Sequence, residues 1–94
     1  MKIVLLTKEV EKAKELLFKD EIVSRASILF KDGKEFGKEG FIFLVSGTEE
    51  QCEKARELVK ELAEELKDKE KEEIIKKIEA EQAKAAEGFG LILG

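Results

Sequence analysis

Apolar residues form two unbroken runs in the first half of the chain, at residues 3–6 and 41–45. A strand with one face in water alternates apolar and polar residues, whereas a strand covered on both faces does not. The two runs therefore predict two central strands of a sheet. A shorter run at residues 26–30 is entered through Ser24 and Ser27, which is typical of an edge strand.

After each central strand, apolar residues recur at the spacing of a helix. The first helix is predicted from Val10, Ala13, Leu16 and Leu17 and ends near Phe18. The second begins at Thr48, because Gln51 follows three residues later in the spacing of a capping box. Its apolar stripe consists of Cys52, Ala55, Val59, Leu62, Ala63 and Leu66.

This second helical segment is long and its stripe is interrupted. Residues 67–73 contain no apolar side chain, and the stripe that resumes at Ile74, Ile75 and Ile78 points about 100° away, counting about 100° per residue. Because neither Gly nor Pro interrupts the segment, we predict helix over residues 48–87. The segment then either bends near Lys67 or leaves the domain and packs on a neighbour.

Glycines and short strands complete the predicted sheet. Asp32-Gly33 predicts a two-residue type I′ turn between the second and third strands, and Gly37 and Gly40 mark a bulge or a wider loop end. A last strand is predicted at residues 89–93, with its direction and pairing left open.

The resulting order of strand, helix, strand, strand, helix, strand predicts an α+β fold in a single domain, residues 1–94. We expect a two-layer ferredoxin-like βαββαβ sandwich with an extended or bent second helical segment over residues 48–87. Its helices cover one face of the sheet. The other face must be covered by residues near 74–78 or by a second subunit. At the level of fold this pattern resembles ACT-type regulatory modules and dimeric α+β barrels, which pair ferredoxin-like sheets.

Composition indicates the source and location of the protein and disfavours one class of partner. Charged residues make up 43% of the chain and there is no His, Pro or Trp. This Lys- and Glu-rich composition is the usual signature of hyperthermophile proteins. The net charge of −4 disfavours nucleic acid as a partner. A single cysteine and the lack of a signal or membrane segment predict a complete cytoplasmic protein.

Candidate chemistry is sparse. Lys31, Lys34 and Lys38 alternate with glycines and could bind an anion, although a solvated hairpin tip is the preferred explanation. Cys52 lies on the apolar stripe and is predicted to pack in the core. The acidic residues from Glu61 to Glu73 are interrupted by lysines, which indicates a salt-bridged helix face. We predict no catalytic residue, no metal site and no cofactor.

The strongest functional expectation concerns assembly. The apolar residues predicted to face a partner are Phe36, Phe41, Phe43, Ile74, Ile75 and Ile78. We expect a non-enzymatic binding or assembly module that forms a homodimer through an apolar sheet face or the long C-terminal helix. Two alternatives remain open. One is a small enzyme or ligand-binding protein of the dimeric α+β barrel type that uses Lys and Glu, and the other is anion or nucleic-acid binding through residues 31–40.

Overall fold

The structure, a computed structural model, describes the backbone of residues 1–93 and the side chains of residues 1–83. It confirms the α+β class. In chain order the elements are β1 (Lys2–Thr7), α1 (Val10–Lys19), β2 (Ser27–Asp32), β3 (Phe41–Ser46), α2 (Glu49–Leu58), β4 (Ala63–Leu66) and α3 (Asp68–Leu93). Short 3₁₀ turns lie before β2, at Val23–Arg25, and after it, at Gly33–Phe36.

The strands form a four-stranded sheet in the order β2-β3-β1-β4, and each neighbouring pair is antiparallel. The central strands are therefore β1 and β3, as the two apolar runs predict. Their side chains are buried on both faces: Ile3, Val4, Ile42 and Val45 are all 0% exposed. The predicted edge position of β2 is also confirmed.

One face of the sheet, called here the inner face, is covered by α1 and α2. Leu17 of α1 and Cys52 of α2 are both 0% exposed there. The buried residues of this core are Ile3, Leu5, Ala13, Leu17, Val23, Phe43, Val45, Cys52, Ala55 and Val59. The Thr48–Gln51 capping box that begins α2 is present, with the Gln51 amide donating to the Thr48 hydroxyl at 3.1 Å.

The opposite face, called here the outer face, is covered by α3 of the same chain. Ile74 and Ile78 are 3% and 1% exposed. Their buried partners are Val4, Ile42, Leu44 and Leu66, and the partly buried residues packed around them are Leu6, Leu29, Phe36 and Ile75. Most of the first apolar stripe of the second half of the chain thus packs on the inner face, and Leu66 and the second stripe pack on the outer face, which a single straight helix could not achieve.

The prediction of an extended or bent helical segment over residues 48–87 is wrong, because β4 divides it into two helices. The helix α2 ends at Leu58, and β4 pairs with β1. Ala63 and Leu66 fit helical spacing, but residues an odd number apart in a strand point to opposite faces. Ala63 accordingly packs on the inner core and Leu66 on the outer one.

The sequence of β4, Ala-Glu-Glu-Leu, has little strand propensity. The strand is therefore held in place by its contacts with other elements. The Thr7 hydroxyl donates to the Leu62 carbonyl at 2.8 Å, at the start of the strand. The Arg56 guanidinium of α2 forms a bidentate pair with Glu65, whose side chain is 14% exposed, and Nη2 lies 3.0 Å from Oε2. The hydrogen bond from this carboxylate raises the pKa of Arg56.

The start of α3 reverses the chain onto the outer face. Asp68 has φ 57°, in the left-handed region that Asp tolerates better than most residues. The helix runs from Asp68 to Leu93, so the predicted strand at residues 89–93 is wrong. Gly94 and the side chains after Ala83 lie outside the described residues.

The β2–β3 connection is wider than predicted. Instead of a two-residue type I′ turn, residues 33–40 join the strands, because Asp32 accepts the Lys34 amide at 2.9 Å and starts a 3₁₀ turn. The positive φ angles fall at Gly37 (70°) and Gly40 (97°). At Gly40 a Cβ would lie 2.6 Å from the Thr7 carbonyl oxygen, so the close approach also requires glycine.

Replacing Ile78 by alanine tests whether α3 is fixed by burial. Ile78→Ala should lower the free energy of unfolding by about 2–5 kcal/mol, because it opens a cavity between α3 and the sheet. Ile75→Ala is the matched control: Ile75 lies on the same helix but is only partly buried, so it should cost clearly less. Urea denaturation measures both. Equal unfolding midpoints for the two variants would contradict the packing described here.

Candidate interaction surface

Ion pairs tie α3 to three places on the sheet. Lys2 of β1 pairs with Glu79, Lys31 of β2 pairs with Glu81 at 2.7 Å, and Lys38 of the hairpin loop pairs with Glu70. The Glu81 carboxylate accepts a hydrogen bond from Lys31 and raises the pKa of that lysine above its ordinary value of 10.5. These pairs are partly exposed, so each contributes little, and they mainly orient a helix that hydrophobic contacts hold.

The three lysines of the predicted anion site have different surroundings. Lys31 and Lys38 are each paired with a carboxylate of α3, which neutralises much of their field. Lys34 lies in the exposed 3₁₀ turn of the hairpin. The anion site therefore stays a prediction, with two of its lysines already in ion pairs.

A cleft of about 370 Å³ separates the hairpin tip from α3. Lys77 crosses it: its ammonium donates to the Glu35 carbonyl and lies 5.0 Å from the centre of the Phe36 ring. The cleft is lined by Glu35, Phe36, Lys38, Glu70, Glu73, Ile74 and Lys77. Because carboxylates and ammonium groups alternate around it, the cleft presents no single charge to a ligand.

The residues predicted to face a partner mostly face their own chain. Phe43 is 1% exposed in the inner core, and Ile74 and Ile78 are buried in the outer one. Phe36 and Ile75 pack around the outer core and are partly buried. Phe41 is also partly buried. A second copy could reach the outer face only if α3 moved away.

The sequence predicts β2 as an edge strand, but it does not predict the open edge as an interaction surface. Among the described residues, β2 pairs with β3 alone, in a register that is unbroken over the whole of Ser27–Asp32. Its central residues Ile28, Leu29 and Phe30 carry no charge. The opposite edge, β4, is shorter and presents Glu64 and Glu65. Charged, short or bulged strands protect a sheet edge from pairing, and β2 has little of this protection.

The hydrogen-bond phase of β2 shows which backbone groups face outwards. The Gly33 amide donates to the Gly40 carbonyl at 2.8 Å, in the same register that joins β2 to β3. Since hydrogen-bonded pairs recur every second residue in an antiparallel ladder, Leu29 and Lys31 bond to β3. The N–H and C=O groups of Ile28 and Phe30 therefore point to the open edge.

Aromatic side chains flank these groups on the inner face. Phe30 is 44% exposed, its ring lies 5.8 Å from that of Phe43, and the Lys14 ammonium lies 4.4 Å above it. Phe18 is 45% exposed and follows Lys14 by one helical turn, so it lies on the side of α1 nearest the β2 edge. An uncharged run in a predicted edge strand, followed by an exposed aromatic, was the signal available in the sequence.

Within the described residues, the cysteine, the acidic side chains and the helices give no further candidate site. Cys52 is 0% exposed, as predicted, and its sulfur lies 3.5 Å from the Met1 carbonyl oxygen. Within the described residues no cluster of three or more His, Cys, Asp or Glu side chains could hold a metal ion. The same residues include no helix that is long and apolar enough to span a membrane.

Substituting Lys31 tests the ion pair across β2 and α3. Lys31→Met should lower the free energy of unfolding by about 0.2–1 kcal/mol at low salt, and by less at high salt, because ions screen a partly exposed pair. The folded chain holds the Lys31 proton more tightly than the unfolded chain. The contribution is therefore complete below pH 10.5 and is lost as the pH rises through the raised pKa.

Denaturant titrations at two salt concentrations and across alkaline pH measure this effect. The matched control is Lys60→Met, which removes an exposed lysine from the turn between α2 and β4 and should change stability little. A Lys31→Met effect that does not depend on salt would show that the pair contributes nothing electrostatic.

Comparisons with protein-family models, with curated proteins and with solved structures find no match to this chain. Within the described residues, the open edge of β2 combines outward-pointing backbone groups with the half-exposed ring of Phe30.

Proposed function

We propose that this protein is a non-enzymatic assembly module that self-associates, and that it does so through the open edge of β2. The observation that carries the proposal is the row of outward-pointing N–H and C=O groups at Ile28 and Phe30, beside a half-exposed aromatic ring. Adding a strand to such an edge satisfies the backbone groups and buries the flanking side chains.

The closed outer face favours the edge over the sheet face as the site of assembly. The sheet face expected to bind a partner is occupied by Ile74 and Ile78 of α3. A stable protein interface buries about 800 Å² on each partner, more than one short strand supplies. The helix α1 reaches β2 through Lys14, which lies 4.4 Å from the centre of the Phe30 ring, and its exposed Phe18 one turn later supplies further apolar area.

We further infer that the chain adopts a ferredoxin-like βαββαβ arrangement to which α3 has been added. Support comes from the order of elements from β1 to β4 and from the central position of the first and third strands. On this view the first six elements form the module and α3 replaces a partner as the cover of the outer face.

Composition supports two further parts of the proposal, a cytoplasmic location and a hyperthermophile source. The cysteine is buried and the surface is rich in Lys and Glu, with several ion pairs across elements. Ion pairs contribute more to stability at high temperature, because the cost of desolvating charges falls. A calorimetric Tm well below about 90 °C would count against the hyperthermophile source.

Sedimentation equilibrium at micromolar concentration tests the self-association. The wild-type chain should sediment as a dimer, and Phe30→Glu should weaken the dimer at least tenfold, which is about 1.4 kcal/mol. The reason is that each dimer contains the substituted edge twice, so each copy would place a carboxylate against an apolar strand.

Glu64→Lys is the control, since it also changes a charge on a sheet edge but lies on β4. It should leave the dimer unchanged. If circular dichroism shows Phe30→Glu to be unfolded, Ile28→Pro removes an outward N–H while leaving the bonds to β3 in place. A wild-type monomer throughout the micromolar range would refute the proposed function.

A further inference from the structure

We infer that the strand added to the β2 edge is β2 of a second copy, running antiparallel to the first, with Leu29 on the two-fold axis. This inference rests on the proposed self-association and specifies its geometry. A two-fold dimer of this kind joins the two sheets into one, and the same edge serves both copies.

The alternation of side chains restricts the possible registers. Ile28 packs with the inner core and Phe30 contacts Phe43 there, whereas Leu29 and Lys31 face the outer side. In a continuous sheet, directly opposite residues of antiparallel strands point to the same face. A two-fold symmetric pairing must therefore place one residue opposite its own copy, because an axis between two residues would set inner side chains against outer ones. In the uncharged part of β2 this central residue is Ile28, Leu29 or Phe30.

Matching of side chains selects the pairing centred on Leu29. It places Leu29 opposite itself on the outer face and Ile28 opposite Phe30 of the other copy on the inner face. Centring on Phe30 would instead oppose Ile28 with Asp32 and Leu29 with Lys31. Each of those pairs sets an apolar side chain against a charged one, so the apolar side chain is not buried against another apolar group.

Centring on Ile28 is disfavoured for a different reason. It would place Phe30 of each copy opposite Ala26 of the other, which precedes the strand, so the large ring would face only a methyl group. It would also oppose Leu29 with the polar Ser27. The Leu29-centred register is the one of the three that sets apolar residues against apolar residues throughout the centre of the strand.

The backbone phase fits the same register. Ile28 and Phe30 carry the outward-pointing groups, and pairing them across the axis lets each pair exchange both of its N–H···O bonds. Leu29, whose own groups bond to β3, then forms a non-hydrogen-bonded pair with its copy. The two Cα atoms of such a pair lie about 4.5 Å apart.

Charge complementarity favours a second copy over an unrelated strand. Arg25 lies just before β2 and Asp32 ends it, while Lys31 beside Asp32 is already paired with Glu81 of α3. An antiparallel copy therefore brings Arg25 of each chain near Asp32 of the other. On the inner face, Lys14 of α1 lies over Phe30, and the exposed Phe18 follows Lys14 by one helical turn, so the α1 helices of the two copies lie on either side of the axis. The exposed aromatics of each copy are thereby covered by the other.

A scan of single cysteines along β2 tests the register. Ile28→Cys, Leu29→Cys and Phe30→Cys are oxidised separately at micromolar concentration, and disulfide-linked dimer is measured on non-reducing gels. Leu29→Cys should cross-link at least several-fold faster than the other two, because its Cα spacing of about 4.5 Å suits a disulfide. Cysteines at 28 or 30 would be about 8 Å from their copies, which is too far.

Native Cys52 stays in all variants, since it is 0% exposed and the wild-type chain should not cross-link. Glu64→Cys on β4 is the second control and should also remain monomeric on the gel. Leu29 packs partly on α3, so a mixture of Ser27→Cys and Lys31→Cys provides an independent test. These positions face each other in the proposed register, and the mixture should give a cross-linked heterodimer.

The outcomes separate the register from the proposed function when the same samples are also sedimented. Fastest cross-linking at Ile28→Cys or Phe30→Cys, in a protein that sediments as a dimer, overturns the register alone. A dimer in which no β2 cysteine cross-links overturns β2 as the surface. A protein that sediments as a monomer refutes self-association itself.

Discussion

The packing of Ile74 and Ile78 against the outer face of the sheet is the interaction on which this structure depends. The central strands β1 and β3 are apolar on both faces, so a sheet covered by α1 and α2 alone would expose a wide apolar surface to water. Each fully buried isoleucine contributes about 1.5–3 kcal/mol relative to an exposed one. The ion pairs of α3 are weaker and partly exposed, so they orient the helix after hydrophobic burial has fixed it.

Because α3 covers the outer face, the surface proposed for self-association is the edge of the sheet and not its face. The helix α3 covers the outer face but leaves the backbone of β2 open beside it. Lys31 pairs with Glu81 of α3, so its charge does not project past the edge, where it would oppose pairing with another strand. Phe30 and Phe18 then remain half exposed on the inner side of the same edge. The path of the chain thus has two results. The helix α3 covers the outer face from within the same chain, and β2 keeps an open edge.

Sequence patterns could predict the central strands, the edge position of β2 and the capping box at Thr48, because each depends on neighbouring residues. They could not predict β4, whose strand conformation is imposed by β1, Arg56 and the outer core against its own propensity. The hairpin was mispredicted because Asp32 caps a 3₁₀ turn instead of entering a type I′ turn. Which backbone groups of β2 point to the open edge could not be predicted, because that depends on the register with the neighbouring strand.

Amide hydrogen exchange followed by NMR at low and high protein concentration tests the account most directly. The N–H groups of Leu29 and Lys31, bonded to β3, should exchange slowly at both concentrations. Those of Ile28 and Phe30 should exchange rapidly in dilute solution and become protected as the concentration rises, because a second β2 strand then accepts their hydrogen bonds. Exchange at Ile28 and Phe30 that is unchanged between the two concentrations would contradict the account.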